Sequence, residues 1–323
     1  MSILPKKLAL IVPVHNEEEN ISLFYNTVKA NLTRQSLNSL PEDFHELICD
    51  FWYIDDGSAD TTLDKIKALQ AVDKSVHFIS FSRNFGKEAA IYAGLSYTQN
   101  YDYVALMDVD LQDPPSLLPT MLEKLVTENL DSVATRRADR KGEKVLISFF
   151  SNLFYQMLSK ISSTKLVSGA RDYRIMSQAM VKAVLALPEN QRFSKGLFSW
   201  VGFKTEYISY ENVNRQRGQS SWGFWKLFRY AITGLISFST VPLTFVAALG
   251  LLVTFVAGLG AIFLIIRKII DPTVAIGGWT TVVVVITFFG GLQMFSLGIV
   301  GRYIAAIFLE TKRRPMYIEK ERK

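Results

Sequence analysis

The sequence has a single cysteine, Cys49, in 323 residues. It can form no intrachain disulfide, and it suits a reducing compartment. No G-x-G-x-x-G follows the first apolar run, which argues against a dinucleotide dehydrogenase, and Gly86-Lys87 lacks the Walker spacing. The formal charge is +6, yet no aromatic-and-basic nucleic-acid motif accompanies it; a membrane surface explains the charge better. The first apolar run ends at Val14, before His15-Asn16-Glu17-Glu18-Glu19. That is too short for a signal peptide and has no small-residue cleavage site, so the first domain is expected to start and stay in the cytosol.

Charge is also missing between Arg229 and Arg267. As one helix this stretch would be roughly 55 Å long, well beyond a hydrocarbon core of about 30 Å. Pro242 is the expected break. An amphipathic helix from Trp222 to Ile232 precedes it, with Phe224, Leu227, Phe228 and Ala231 on one face and Lys226 and Arg229 opposite, as in a helix lying in a bilayer interface. Transmembrane helices are expected at about Thr244 to Ile266 and Trp279 to Gly301, joined by a turn containing Asp271-Pro272. The tail after Phe308 is rich in Lys and Arg, which marks both ends of the hairpin as cytoplasmic.

The remaining chain has 49% apolar content to draw on and alternates strands with helices. Leu8 to Val14, Leu47 to Ile54, Val76 to Phe81, Tyr103 to Met107 and Asp131 to Thr135 are the expected strands. Ile21, Phe24, Tyr25 and Val28 form a helical face between the first two, with Asn16 as the expected cap. The pattern predicts a doubly wound α/β domain with a mostly parallel sheet. Lys144 to Ser163 is aromatic and amphipathic, a core helix or one touching lipid, with core favoured.

Chemistry concentrates where strands end. Tyr103 to Met107 stops at Asp108, Asp110 and Asp113, closed by Pro114 and Pro115. Hard carboxylate oxygens at that spacing suit Mg²⁺ or Mn²⁺ bridging to phosphates; a solvated acidic turn is the alternative. Asp55 and Asp56 end the second strand, at the sheet edge where open α/β folds bind ligands. Gly86-Lys87 is a turn and helix start, with a basic residue near phosphate as the other reading. Arg136 and Arg137 stand where a diphosphate could sit. Asp172 lies between Arg171 and Arg174, either simply paired or a base kept ionised by its neighbours.

Seven segments, in order, resemble the family-2 glycosyltransferases of A-type fold, and specifically the polyprenyl-phosphate glycosyltransferases, bactoprenol glucosyltransferases and dolichol-phosphate mannose synthases. They are Val12-Pro13-Val14-His15-Asn16-Glu17-Glu18, Asp55-Asp56-Gly57-Ser58-x-Asp60-x-Thr62, Ser82 to Glu88, Asp108 to Pro115, Ala134 to Arg137, Asp172-Tyr173-Arg174-Ile175-Met176 and Arg217-Gly218-Gln219-Ser220. His15 departs from the family's usual residue. The resemblance implies a Rossmann-like domain over residues 1–214, a closing loop and interfacial helix over 215–243, two transmembrane helices over 244–308 and a basic cytosolic tail over 309–323. It implies that Pro13, Glu17, Asp55, Asp56 and Asp108 hold a UDP-sugar, and that Asp108, Asp110 and Gln112 hold Mg²⁺ or Mn²⁺. Arg136, Arg137, Arg217 and Ser220 would meet phosphate of donor or acceptor, and Asp172 would be the base or orient the acceptor. The implied reaction is inverting transfer of a sugar, glucose first and N-acetylglucosamine or galactose next, to polyprenyl (undecaprenyl) phosphate for bacterial surface polymers. Paired tethers would permit a homo-oligomer. A processive synthase would want a Q-x-x-R-W motif, absent around Gln216 to Trp222. A non-catalytic membrane adaptor binding nucleotide sugars is the rival from another class, and the intact Asp108, Asp110 and Asp172 count against it.

Overall fold

The computed structural model describes residues 5–33, 35–137, 167, 169–187, 189–210, 239–271 and 278–323. The chain divides into two compact units, residues 1–231 with 314–323, and residues 232–313.

The first unit is a mixed α/β fold on one sheet. Its elements are β1 (Lys7–Val14), α1 (Ile21–Asn31), β2 (Ile48–Asp55), α2 (Thr62–Val72), β3 (Val76–Phe81), α3 (Lys87–Thr98), β4 (Tyr103–Leu106), α4 (Leu117–Thr127), β5 (Ser132–Arg137), β6 (Ala170–Ser177), α5 (Gln178–Leu185), α6 (Ser194–Trp200), β7 (Thr205–Tyr210) and, from the C-terminus, β8 (Glu319–Arg322). The strand order is β7-β5-β6-β4-β1-β2-β3-β8. β1 to β4 are mutually parallel, β5 and β7 pair in parallel, and β6 and β8 run antiparallel to their neighbours.

The unbroken apolar run of β1 is explained by cover on both sides. Leu8, Leu10, Val12 and Val14 join one core with α1 and α4, while Ala9 and Ile11 join another with α3 and α5. Every residue from Leu8 to Val12 is fully buried. Such a sheet leaves only its strand ends free for polar chemistry.

Asn16 is not the helix cap expected from the sequence. α1 begins at Ile21 with Asn20 as its cap. Asn16 takes φ +54, and its side-chain oxygen accepts from the Ala59 amide at 2.8 Å while its own amide donates to Ser58 Oγ at 2.9 Å. It therefore ties the loop after β1 to the loop after β2, a use of Asn that local pattern does not separate from capping.

The basic tail is divided between the units. Its last residues form β8 against β3, with Tyr317 stacked on Phe81 at 4.7 Å, Glu321 paired with Lys67 at 2.7 Å and Glu319 accepting from Tyr97 at 2.8 Å. The two acidic residues among the bases set this register.

The second unit contains α7 (Val241–Ile270) and α8 (Trp279–Thr311). Pro242 sits in the first turn of α7, where its missing N–H costs nothing. α7 runs past the expected span at both ends, and α8 begins at Trp279 as expected but runs on to Thr311. Their most apolar spans, Val241–Arg267 and Val282–Thr311, have mean hydropathy 2.7 and 2.1 and are not buried by protein. A core helix of that composition would be covered; these are long and apolar enough to cross a membrane. Tyr303 donates to the Ser239 carbonyl at 2.7 Å within this unit. The expected interfacial helix, the segment Lys144 to Ser163 and the turn at Pro272 lie outside the described residues.

Candidate active site

The carboxyl ends of β1, β2, β3 and β4 bring four of the sequence motifs to one edge. Pro13, next to last in β1, is half-buried and in register with Ile54. Glu17 lies in the following loop, where its amide donates to Thr62 Oγ1 at 2.9 Å and its carboxylate accepts from Asn20 Nδ2 at 2.6 Å. Asp55 is buried and engaged internally. It accepts from Ser80 Oγ at 2.7 Å and from the Ser58 amide at 3.0 Å.

Asp56 faces the next loop. Its Oδ1 accepts from the Phe85 amide at 2.6 Å, and its Oδ2 from the Gly86 amide at 2.9 Å. Burial pushes the Asp56 carboxyl up, against the pull of those two amides. Gly57 makes this contact geometrically open. Its φ is +65, and a Cβ there would lie 2.5 Å from the Arg83 carbonyl carbon, so only glycine lets the two loops meet.

After β4 the backbone turns sharply. Leu111 has φ +56, uncommon for a residue with a branched side chain. The Gln112 amide donates to Asp110 Oδ1 at 3.1 Å, closing a short turn between the two. Asp113 is buried beneath it, accepting from Arg171 Nε at 3.2 Å and from the Tyr210 hydroxyl. Arg171 Nη2 also donates to Gln112 Oε1 at 3.2 Å.

β6 runs antiparallel beside β4 and carries Asp172 to this edge. Strand alternation sends neighbours to opposite faces, so Arg171 goes to Asp113 and Asp172 does not pair with it. Asp172 is held by Lys87, whose Nζ lies 2.8 Å from Asp172 Oδ2 and 2.7 Å from Asp108 Oδ1. Burial alone would push Asp172 up; attraction to Lys87, Lys195 and Arg174 overrides it and holds the carboxyl well below the usual carboxylate range. Burial opposes the charge of Lys87 too, and the two carboxylates raise it above the ordinary lysine value. Lys87 was the residue whose role the sequence left open, and only the placement of β4 beside β6 shows its partners.

Arg136 donates through Nε to Ser209 Oγ at 2.7 Å and is exposed. Arg137 ends β5, and its side chain, like Arg217 and Ser220, lies outside the described residues. Tyr210 carries no sequence signal for its contact with Asp113. Among the described residues no three His, Cys, Asp or Glu side chains cluster as a self-sufficient metal site. The donors present, two carboxylates and an amide oxygen, are hard oxygens and fit a divalent ion that completes its shell with substrate phosphate and water.

The sequence profile described as glycosyl transferase family 2 matches residues 9–185. A bactoprenol glucosyl transferase of Shigella phage SfX is 39% identical over 320 residues, covering 98% of this chain and 100% of that protein. A prophage bactoprenol glucosyl transferase homolog of Escherichia coli K12 is 38% identical over 314 residues, covering 97% of this chain and 98% of that protein. Among solved structures, glucosyl-3-phosphoglycerate synthase from Mycobacterium tuberculosis, in complex with Mn²⁺, UDP-glucose and phosphoglyceric acid, is similar at 17% identity and TM-score 0.42, covering 71% of this chain and 79% of that one.

Proposed function

The chain belongs to glycosyl transferase family 2, and from that premise we propose that it transfers glucose, with inversion, from UDP-glucose to polyprenyl phosphate at a membrane. The observation that carries this reading is the shared ammonium of Lys87, which brings Asp108, at the end of β4, and Asp172, on β6, to one point. A donor-side and an acceptor-side carboxylate belong on either side of the bond that breaks.

Each residue then has a task. Pro13, Glu17, Asp55 and Asp56 frame the nucleoside end of the donor, with Asp55 and Asp56 also fixing the loops after β2 and β3. Asp108, Asp110 and Gln112 would hold Mg²⁺ or Mn²⁺, which when bound supplies positive charge to the departing diphosphate. Arg136, Arg137, Arg217 and Ser220 are assigned to phosphate of donor or acceptor. The acceptor's phosphate oxygen is already ionised near neutral pH, so Asp172, itself held ionised, has little proton to remove; with both groups anionic, it orients the nucleophile through a cation between them. The acceptor oxygen forms the new bond to the anomeric carbon as the bond to UDP breaks, and the electron pair leaves with the diphosphate.

The exposed apolar helices α7 and α8 support a lipid acceptor. Segments before and after this pair belong to the same compact unit, which supports an even number of crossings. We assign that unit and the C-terminus to the cytosolic side, on the Lys- and Arg-rich tail.

The test is product configuration. Full-length protein in detergent is given UDP-glucose and undecaprenyl phosphate, and the anomeric coupling of the lipid-linked sugar is read by NMR. A β-linked product is expected from the α-linked donor; an α-linked product rejects the single displacement.

A further inference from the structure

We propose that Lys87 is a positioning residue that stands in for the divalent cation: it holds Asp108 and Asp172 in the donor-free enzyme and leaves Asp108 when cation and donor arrive. The inference rests on the functional reading above and concerns the residue whose contacts carry that reading but to which it gives no task.

Lys87 is the first residue of α3. A cation in the first turn of a helix opposes the macrodipole, so helix stability does not account for it. Its neighbour Glu88 has the favoured sign there, and its Oε2 accepts from the Ser194 amide at 3.0 Å, fastening the start of α6. The lysine is thus placed for what its far end reaches.

That end straddles one carboxylate. Nζ lies 2.7 Å from Asp108 Oδ1 and 2.8 Å from Asp108 Oδ2, as well as 2.8 Å from Asp172 Oδ2. Both oxygens that Asp108 could offer to a metal are therefore in contact with the ammonium. A divalent ion on Asp108 with the ammonium in its present place would set two positive charges against the same carboxylate, and they would repel each other. One of them must give way.

The lysine is built to do so. The backbone just before it is anchored, because the Phe85 and Gly86 amides are both held by Asp56. The side chain beyond has four rotatable bonds and a point charge with no fixed fork geometry. The ammonium can swing off Asp108 towards a phosphate while the loop stays in place. Its net effect in its present place is to neutralise one of two closely placed carboxylates and keep them from splaying.

The test measures metal binding without turnover. Free Mn²⁺ is followed by electron paramagnetic resonance as it is titrated into full-length wild type, Lys87→Met, Lys87→Gln and Lys87→Arg, with no nucleotide present. UDP is then added. Removing the competing charge is expected to tighten Mn²⁺ binding about tenfold or more in the Met and Gln variants, while Arg stays near wild type. UDP with Mn²⁺ should bind all four. Unchanged or weaker Mn²⁺ binding in the Met and Gln variants, with UDP binding retained, overturns this proposal and leaves the functional reading standing. Loss of UDP binding in both neutral variants but not in wild type also overturns it, since Lys87 would then be needed to build the donor site. No UDP binding by wild type would instead reject the functional reading and this inference with it.

Discussion

Asp56 grips the Phe85 and Gly86 amides at 2.6 and 2.9 Å, tying the end of β2 to the loop that carries Lys87. Its folded pKa is raised by burial, so its ionised form costs stability at neutral pH. Asp56→Asn removes that charge but keeps only one of the two accepting oxygens and turns an NH2 group towards the amide that the other held. The lost hydrogen bond should outweigh the relief of charge and lower the thermal midpoint at pH 7 by a few degrees, and UDP affinity, measured by calorimetry, should fall about tenfold or more. A variant that melts as wild type and binds UDP normally would contradict the assignment.

Gly57→Ala tests the meeting of two loops. The new Cβ would approach the Arg83 backbone to 2.5 Å at a residue with φ +65. Strain and overlap together should cost about 2–4 kcal/mol and lower the thermal midpoint by roughly 5–15 °C. Donor binding should fall as well, because Arg83 leads directly into the Lys87 loop.

Removing residues 317–323 should uncover an edge. β8 covers β3, and the Ser82 amide donates to the Ile318 carbonyl at 2.9 Å. The truncated protein would expose the unpaired edge of β3 and the ring of Phe81, which is 1% accessible in the intact fold. Light scattering should show aggregation in detergent, and melting should fall by roughly 4 °C or more. A monodisperse protein with unchanged melting would show that the tail strand contributes nothing.

Acid sensitivity should trace in part to Asp73. Burial alone would raise its pKa, but Lys29, Tyr25 and Ser75 hold it well below the ordinary value. A depressed folded pKa gives stability that is present above the unfolded pKa of about 3.9 and lost as pH falls below it. Asp73→Asn should therefore melt lower than wild type at pH 7, and the gap should narrow as pH is taken from 5 towards 3. A gap that widens on acidification would reverse the sign of the argument.

The sequence makes the parallel strands legible because burial on both faces leaves runs such as Leu8 to Val12 without alternation. The acidic strand ends are legible for the same reason: polar side chains have nowhere else to go. What it hides are side-chain partners made by topology. Asp172 stands between two arginines in the chain, yet strand alternation sends Arg171 to Asp113 and leaves Asp172 to Lys87, from another helix. Asn16 has the composition of a helix cap and serves as a loop tie, since both uses need the same short polar side chain. The tail looks like a basic anchor until Glu319 and Glu321 are placed opposite Tyr97 and Lys67.

The most direct measurement is a transfer assay with the full-length protein in detergent, undecaprenyl phosphate, Mg²⁺ or Mn²⁺ and a panel of labelled UDP-sugars, alongside Asp110→Ala. The account predicts that glucose moves to the lipid, that N-acetylglucosamine and galactose move far more slowly, and that the Asp110 variant loses transfer by about a hundredfold or more. Binding of UDP without transfer of any sugar to the lipid would contradict it.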